Sequence, residues 1–510
     1  MDQLTSLLGG FSVALEPINL LWLLIGAVLG TAVGVLPGLG SAMAVALLLP
    51  VTFALDPTGA FIMFASIYFG GLFGDSTAGI LLNTPGNSSA IATTFEGHRM
   101  ARDGRAAKAL GTSAIGAFIG GTIATTAVVF LAPYLATVAS LFGPAEYFAL
   151  AAFAFVAISS VVAESVVRGL TALGLGLLIT LVGIDQASGA QRFTMGAPAL
   201  FDGISIIVVT LGLLAIGEVL YVGSRIRRER SRTGTLAIGG GSPFLRGAEW
   251  RKALPAFLRG TSFGLPFGVI PVGGSEVPTF LAYGTEKRLA QRRRDPDFGT
   301  RGAIQGVAGP EAAGNATAGT AMGALLALGL PTSATAAMML AAFQQYGMQP
   351  GPLLFERSAD LVWPLIASLF LGLVILLVLN LPFAAVWAKL LVIPRHYLYA
   401  GITVVAMLGV YAIASSTLDL WLLLAIGVIG VVMRRFEIPL APVLIAAILG
   451  PLAETELRRA LAVSEGDPSV LVGSPITVVL YAVMAAAVAI SAVQHLRHAR
   501  RDARQRVGAR

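Results

Sequence analysis

Small hydroxyl and amide side chains cluster at four places where glycine and proline interrupt an otherwise apolar chain. The first is Gly34–Gly40, with Pro37, Gly38 and Gly40 followed by Ser41. The second is Asn83, Thr84, Pro85, Gly86, Asn87, Ser88 and Ser89. The third, Gly268–Gly274, holds Pro271, Gly273 and Gly274 and runs into Ser275. The fourth is Pro331, Thr332 and Ser333. Glycine and proline break a helix and free its N–H and C=O groups. Where the helix resumes, its N-terminus offers free N–H groups and a partial positive charge, an anion site needing no Lys or Arg. Hydroxyls and amides at that point suit a ligand with carboxylates or hydroxyls. Three acids lie in or beside the same apolar stretches: Asp75, Glu276 and Glu311. Each could hold a cation together with unwound carbonyls, or relay a proton, because acids at membrane depth are costly and usually functional. The plainer readings are kinks capped by Ser and Thr, and Glu276 and Glu311 solvated near a membrane surface.

The elements that must position these groups are membrane helices. Of 510 residues, 56% are hydrophobic and 12% charged, and the mean hydropathy is +0.82. No charged side chain occurs between Glu16 and Asp56, nor over 109–145 or 312–355. This excludes an ordinary soluble domain and specifies an all-α polytopic membrane protein. Irregular backbone at such depth is tolerated only against protein or a polar cavity. Two broken segments in corresponding positions of two halves point to the binding site of a transporter.

The net charge of +7 reflects bases in short loops and the C-terminus, so it does not call for nucleic acid. After the first break the loop carries Asp56 alone, while its counterpart at 287–301 carries six bases. After the second break there are four bases, and after the fourth, over 345–360, Arg357 alone. The two repeats therefore read as inserted in opposite directions. The spacing from Pro37 to Pro85 is 48 residues and from Pro271 to Pro331 is 60, the extra twelve fitting the longer basic loop. Propagated along the chain, this gives about eleven crossings of roughly 20 residues plus re-entrant hairpins. Loops near 105, 230, 290 and 434 and the C-terminus fall on the cytoplasmic side. Loops near 56, 138, 190 and 350 fall outside. The expected organisation is a first membrane half at 1–224, a basic linker at 225–259, a second half at 260–395, C-terminal helices at 396–495 and a basic tail at 496–510. The opening seventeen residues lack a base and do not resemble a cleaved signal peptide.

Other chemistries fail on residue types. The four histidines, His98, His396, His495 and His498, show no metal-ligand spacing, and cysteine is missing. The glycine-rich breaks lack the Lys-Ser/Thr of a phosphate-binding loop. No nucleophile–base set supports an intramembrane enzyme, and no cofactor is expected. Coupling to an ion gradient is the natural energy source. A passive channel using the same breaks as a filter is the alternative.

At these residues the chain resembles the large membrane subunit of the tripartite tricarboxylate transporters. The resemblance runs from about 17 to 435. It rests on Gly34–Gly40, Leu48–Phe53, Ile80–Gly86, Phe142–Tyr147, Arg192–Gly196, Tyr283–Lys287, Gly306–Glu311 and Gly351–Leu354 in that order. It implies a secondary transporter of the bacterial inner membrane that takes up a di- or tricarboxylate with Na+ or H+. It also implies two partners, a small membrane subunit of about four helices and a periplasmic binding protein, and an elevator-like motion. The chain departs from the family pattern at Val272-Gly273-Gly274, at Gly314-Asn315, at Thr332 and at Asp75, all within the expected site. Asn315 is carried over as a substrate-binding candidate by this resemblance.

Overall fold

The helices end where local chemistry ends them. The helix Pro57–Leu82 opens on Asp56, whose carboxylate accepts from the Gly59 N–H at 3.0 Å, with Pro57 in its first turn. It closes on Asn83, which takes the left-handed conformation (φ 58°) and caps Gly79 O at 3.0 Å. In the computed structural model the described residues are 3–36, 40–52, 55–162, 166–185, 188–224, 241–270 and 274–486. Four site candidates, Pro37, Gly38, Pro271 and Gly273, lie outside them, as do the first part of the expected linker and the C-terminal tail.

In chain order the helices are α1 (Gln3–Ala14), α2 (Pro17–Val35), α3 (Ser41–Thr52), α4 (Pro57–Leu82), α5 (Ile91–Met100), α6 (Ala106–Ala139), α7 (Pro144–Val162) and α8 (Val166–Thr180). Then come α9 (Ile206–Thr210), α10 (Gly217–Gly223), α11 (Gly247–Val269), α12 (Glu276–Arg293), α13 (Gln305–Leu328) and α14 (Ala334–Gln345). The series ends with α15 (Leu354–Arg357), α16 (Ala359–Asn380), α17 (Ala384–Ala388), α18 (Arg395–Ala414), α19 (Thr417–Arg435) and α20 (Ala441–Val463). Strand content among the described residues is one two-stranded ribbon, β1 (Gly183–Ile184) with β2 (Gln191–Arg192).

Seven of the described helical stretches are long and apolar enough to cross a membrane, and four further apolar helices are shorter. The all-α membrane architecture is therefore present. α13 belongs to neither group because it is built from Gly, Ala and Thr, yet it is buried along nearly its whole length. Residues 247–259, read from sequence as the end of a linker, are the first turns of α11. Their Lys and Arg occupy its polar side, while Ala253, Ala256, Phe257 and Gly260 face inward.

The described residues fall into two units, one within 3–139, 205–270 and 274–432, the other within 140–204 and 433–486. In the first unit two helix pairs are packed by one device. On α2, a Cβ at Gly26, Gly30 or Gly34 would lie 2.6, 2.6 or 2.3 Å from the carbonyl oxygens of Met63, Ile67 and Gly71 of α4. On α11, a Cβ at Gly260, Gly264 or Gly268 would lie 2.0, 2.3 or 2.3 Å from those of Gly309, Ala313 and Thr317 of α13. Glycine every fourth residue lets the backbones touch, the usual way helices associate where lipid removes the hydrophobic drive. Each run ends just before a break, so the close packing fixes the helix ends at Val35 and Val269 against α4 and α13.

In the second unit α20 packs beside α7 and α8. Gly176 of α8 lies against Val443 O, and Gly450 of α20 lies against Thr180.

Candidate functional site

Described residues at the edges of the four chain breaks meet inside the first unit. Ser41, the first residue of α3, is fully buried, and its hydroxyl lies 2.9 Å from that of Thr335 in the first turn of α14. Asn87 of the second break donates from Nδ2 to Ser41 Oγ at 3.4 Å. A Cβ on Gly40 would stand 3.6 Å from Gly86 O. Gly274 has φ 66°, and a Cβ on it would stand 3.6 Å from the Ser333 Cβ. Ser275 donates to Gly314 O at 3.3 Å. The first break thus touches the second and fourth, and the third touches the fourth and α13.

Buried acids flank this junction. Asp75, 1% exposed in the middle of α4, accepts the Asn87 N–H on Oδ1 at 2.7 Å. Its other oxygen has no hydrogen-bond partner among the described residues. Ser76 donates to Glu311 on α13, itself 4% exposed. Asn315, one turn further on, donates to Glu311 O at 3.1 Å and leaves Oδ1 unpartnered. Leu72, Asp75, Ser76, Glu311 and Asn315 are among the residues lining a small polar cavity between α4 and α13. An unpaired oxygen buried in a low dielectric is expensive. Asp75 Oδ2, Asn315 Oδ1 and Thr332 Oγ1 all stand in that condition. The oxygen-only character of the set suits a hard cation or a ligand that brings donors.

The remaining candidates take quieter positions. Asn83 and Thr84 are exposed beyond the end of α4, and Asn83 is a helix cap. Pro85 packs near Gly79, and Ser88 begins a single 3-10 turn, Ser88–Ala90, that leads into α5. Ser333 caps α14 by accepting from Ala336 N–H at 3.2 Å. Pro331 and Thr332 are buried in the fourth break. Glu276 opens α12 and does not line the cavity between α4 and α13.

Three residues that carry the junction were not singled out from sequence. Thr335 lies two positions beyond the last hydroxyl considered, and Ser76 follows Asp75 directly. Glu96 is the third. Fully buried on α5, its carboxylate accepts from Gly299 N–H at 3.1 Å, Ala303 N–H at 3.0 Å, Arg99 at 2.8 Å and Tyr283 at 3.3 Å. It ties the half-helix after the second break to the loop between α12 and α13. Gly302 makes room for this, since with φ 89° its Cβ would fall 2.5 Å from Glu96 O. Only the run Glu96–Met100 meeting residues 298–303 in space reveals this anchor, so no local pattern could have flagged it.

On the polar end of α11 and α12, Arg259 makes a bidentate pair with buried Glu286 at 2.8 and 2.9 Å. Nearby, burial pushes the Asp295 carboxyl up, but hydrogen bonds from Gln305, the Asp297 N–H and Lys252 outweigh it. Together they hold Asp295 below the usual aspartate range.

Comparison with known proteins places this geometry in context. Residues 20–445 match the family model described as the tripartite tricarboxylate transporter TctA family. A protein of Agrobacterium vitis, described as an uncharacterized 52.8 kDa protein in the TAR-I ttuC' 3' region, is 39% identical over 501 residues, 98% of each chain. Another from Agrobacterium vitis, an uncharacterized protein in the TAR-II ttuC' 3' region, is 40% identical over 209 residues. That alignment covers 41% of this chain and 85% of the relative. No solved structure matches.

Proposed function

Because the chain belongs to the tripartite tricarboxylate transporter TctA family, we propose that it is the transport subunit that imports a di- or tricarboxylate across the bacterial inner membrane. Import draws on a Na+ or H+ gradient and depends on a periplasmic binding protein and a small membrane subunit. The C-terminal tail then lies in the cytoplasm with the other basic segments.

The observation that carries this reading is the meeting of Ser41, Asn87 and Thr335 beside Asp75. Substrate carboxylates meet the N-termini of α3 and α14, where N–H groups and hydroxyls supply donors without a fixed positive side chain. That matters for turnover, because a charge-neutral donor set binds an anion and still releases it. The coupling cation sits on the acceptor side of the junction, at Asp75 and Asn315, with Glu311 behind them. Binding of both species joins segments from the two repeats, which favours one packed arrangement of the breaks over another. An elevator-like displacement of those segments together with α4 and α13 then moves the site across the membrane.

Solute counterflow tests the reading. Proteoliposomes preloaded with unlabelled citrate should transiently concentrate external labelled citrate above its equilibrium level. A monotonic approach to equilibrium in every carboxylate tried would show a passive pore instead.

A further inference from the structure

The motif Arg192-Phe193-Thr194-Met195-Gly196 takes no part in the junction, and it lies wholly in the second unit. Its base is fixed. Arg192 donates to Glu454 of α20 at 2.8 and 3.4 Å and stands 3.7 Å from Asp185. Arg458 closes the cluster, at 3.2 Å from Asp185 and 2.8 Å from Glu454. The β1–β2 ribbon pairs Ile184 with Gln191 and Gly183 with Arg192, directly beneath the motif. Thr194 turns inward, 3% exposed, with its hydroxyl on Gln191 Oε1 at 3.3 Å.

From this fixed base two large apolar side chains project outward. Phe193 is 67% exposed and Met195 is 96% exposed. Both occupy left-handed backbone, with φ of 53° and 50°, a conformation that disfavours residues bearing a Cβ. A loop free to drift would relax that conformation or carry glycine there, as it does at Gly196 with φ 74°. Strain at an anchored loop tip that presents Phe and Met to solvent marks a surface kept for a partner.

The backbone says which kind of partner. Among the described residues, the N–H groups of Phe193, Thr194, Met195 and Gly196 donate no hydrogen bond. Such a tip cannot sit in hydrocarbon, where no acceptor exists. On so exposed a tip water satisfies these groups, so the tip belongs to an aqueous compartment, where the apolar pocket of a soluble protein can cover Phe193 and Met195. The segment 181–205, in which Arg192 is the sole base, falls on the side of the membrane opposite the basic loops. We propose that Phe193 and Met195 are the docking knobs for the soluble binding component of the tripartite system. This inference rests on the transporter reading above. Aromatic and methionine side chains are the types that dominate interface cores, and methionine adapts to a pocket of imperfect shape.

The test uses the full chain and the small subunit in proteoliposomes, with p-benzoylphenylalanine at position 195 and the purified binding component of the same system added outside. Ultraviolet light should give a covalent adduct between the two proteins. The same probe at Val463, an exposed apolar position of the same unit, should give little. Phe193→Ala with Met195→Ser should weaken binding of that component at least about tenfold and leave the melting temperature unchanged. Adducts with lipid alone, or with the small subunit alone, would overturn the docking assignment, and so would unchanged affinity in the double variant. Those results would leave uptake by the wild-type chain, and hence the transporter reading, intact. Failure of the wild-type chain to bind the component at all would contradict both.

Discussion

Ser41 and Thr335 are 294 residues apart in sequence, yet their hydroxyls lie 2.9 Å apart in the buried junction of the first unit. One opens the half-helix after the first break and the other stands in the first turn after the fourth. Their contact joins two segments far apart in the chain at the point where the proposed substrate binds. Ser41→Ala and Thr335→Val should each lower citrate uptake about fivefold, in line with about 1 kcal/mol for a neutral hydrogen bond. The double variant should be little worse than either single one. Strictly additive losses in initial uptake rates would show that the two hydroxyls act independently.

Asp75 has one oxygen engaged by the Asn87 N–H and one without a partner. Asp75→Asn preserves an acceptor for Asn87 and removes the charge. The expected variant still exchanges labelled for unlabelled carboxylate but no longer accumulates it under an imposed gradient. Wild-type accumulation in that variant would take Asp75 out of the coupling step.

The glycine contacts set a parallel expectation for the two helix pairs. A methyl group at Gly30 would meet Ile67 O at 2.6 Å, and one at Gly264 would meet Ala313 O at 2.3 Å. Backbone cannot move aside as a side-chain tip can. Gly30→Ala and Gly264→Ala should each destabilise by about 1–3 kcal/mol, read as a lowered melting temperature in detergent. Gly9 has open space around its Cβ position, so Gly9→Ala should be neutral. Equal stability in all three variants would refute the packing described.

Asp295 gives a pH signature away from the membrane core. Its folded-state carboxyl lies below the ordinary aspartate value, with burial opposed by the hydrogen bonds from Gln305, Asp297 and Lys252. The stability it adds is therefore full above the unfolded value of about 3.9 and is lost as pH falls through the folded one. Asp295→Asn should be less stable than wild type at neutral pH, with the difference shrinking below about pH 4. A constant difference across the acid range would show that its charge contributes nothing.

Much of this architecture could be read from local sequence. The breaks at Gly34–Gly40 and Pro331–Ser333 declare themselves because glycine and proline are conspicuous in apolar runs. The long apolar helices declare themselves by hydropathy. What escaped was non-local. Thr335 and Ser76 gain their importance from Ser41 and Glu311, residues hundreds of positions away, and Glu96 gains its role from a loop 203 residues downstream. The start of α11 escaped for another reason: its exposed Lys and Arg imitate a linker while its inner face follows helical spacing. Asn83 and Ser333, an amide and a hydroxyl at breaks that invite a binding role, both cap helices in the folded chain. The tip at Phe193 and Met195 is visible in sequence only as a motif, because strain and exposure belong to the folded backbone.

The most direct test is uptake into proteoliposomes holding this chain and the small membrane subunit, with the soluble binding component outside. Labelled citrate and a panel of di- and tricarboxylates would be offered under an inward Na+ gradient, an inward H+ gradient, or neither. The account predicts accumulation of at least one carboxylate above the external concentration, only with one of the gradients and only with the binding component present. Equilibration that ignores both gradient and binding component would contradict it.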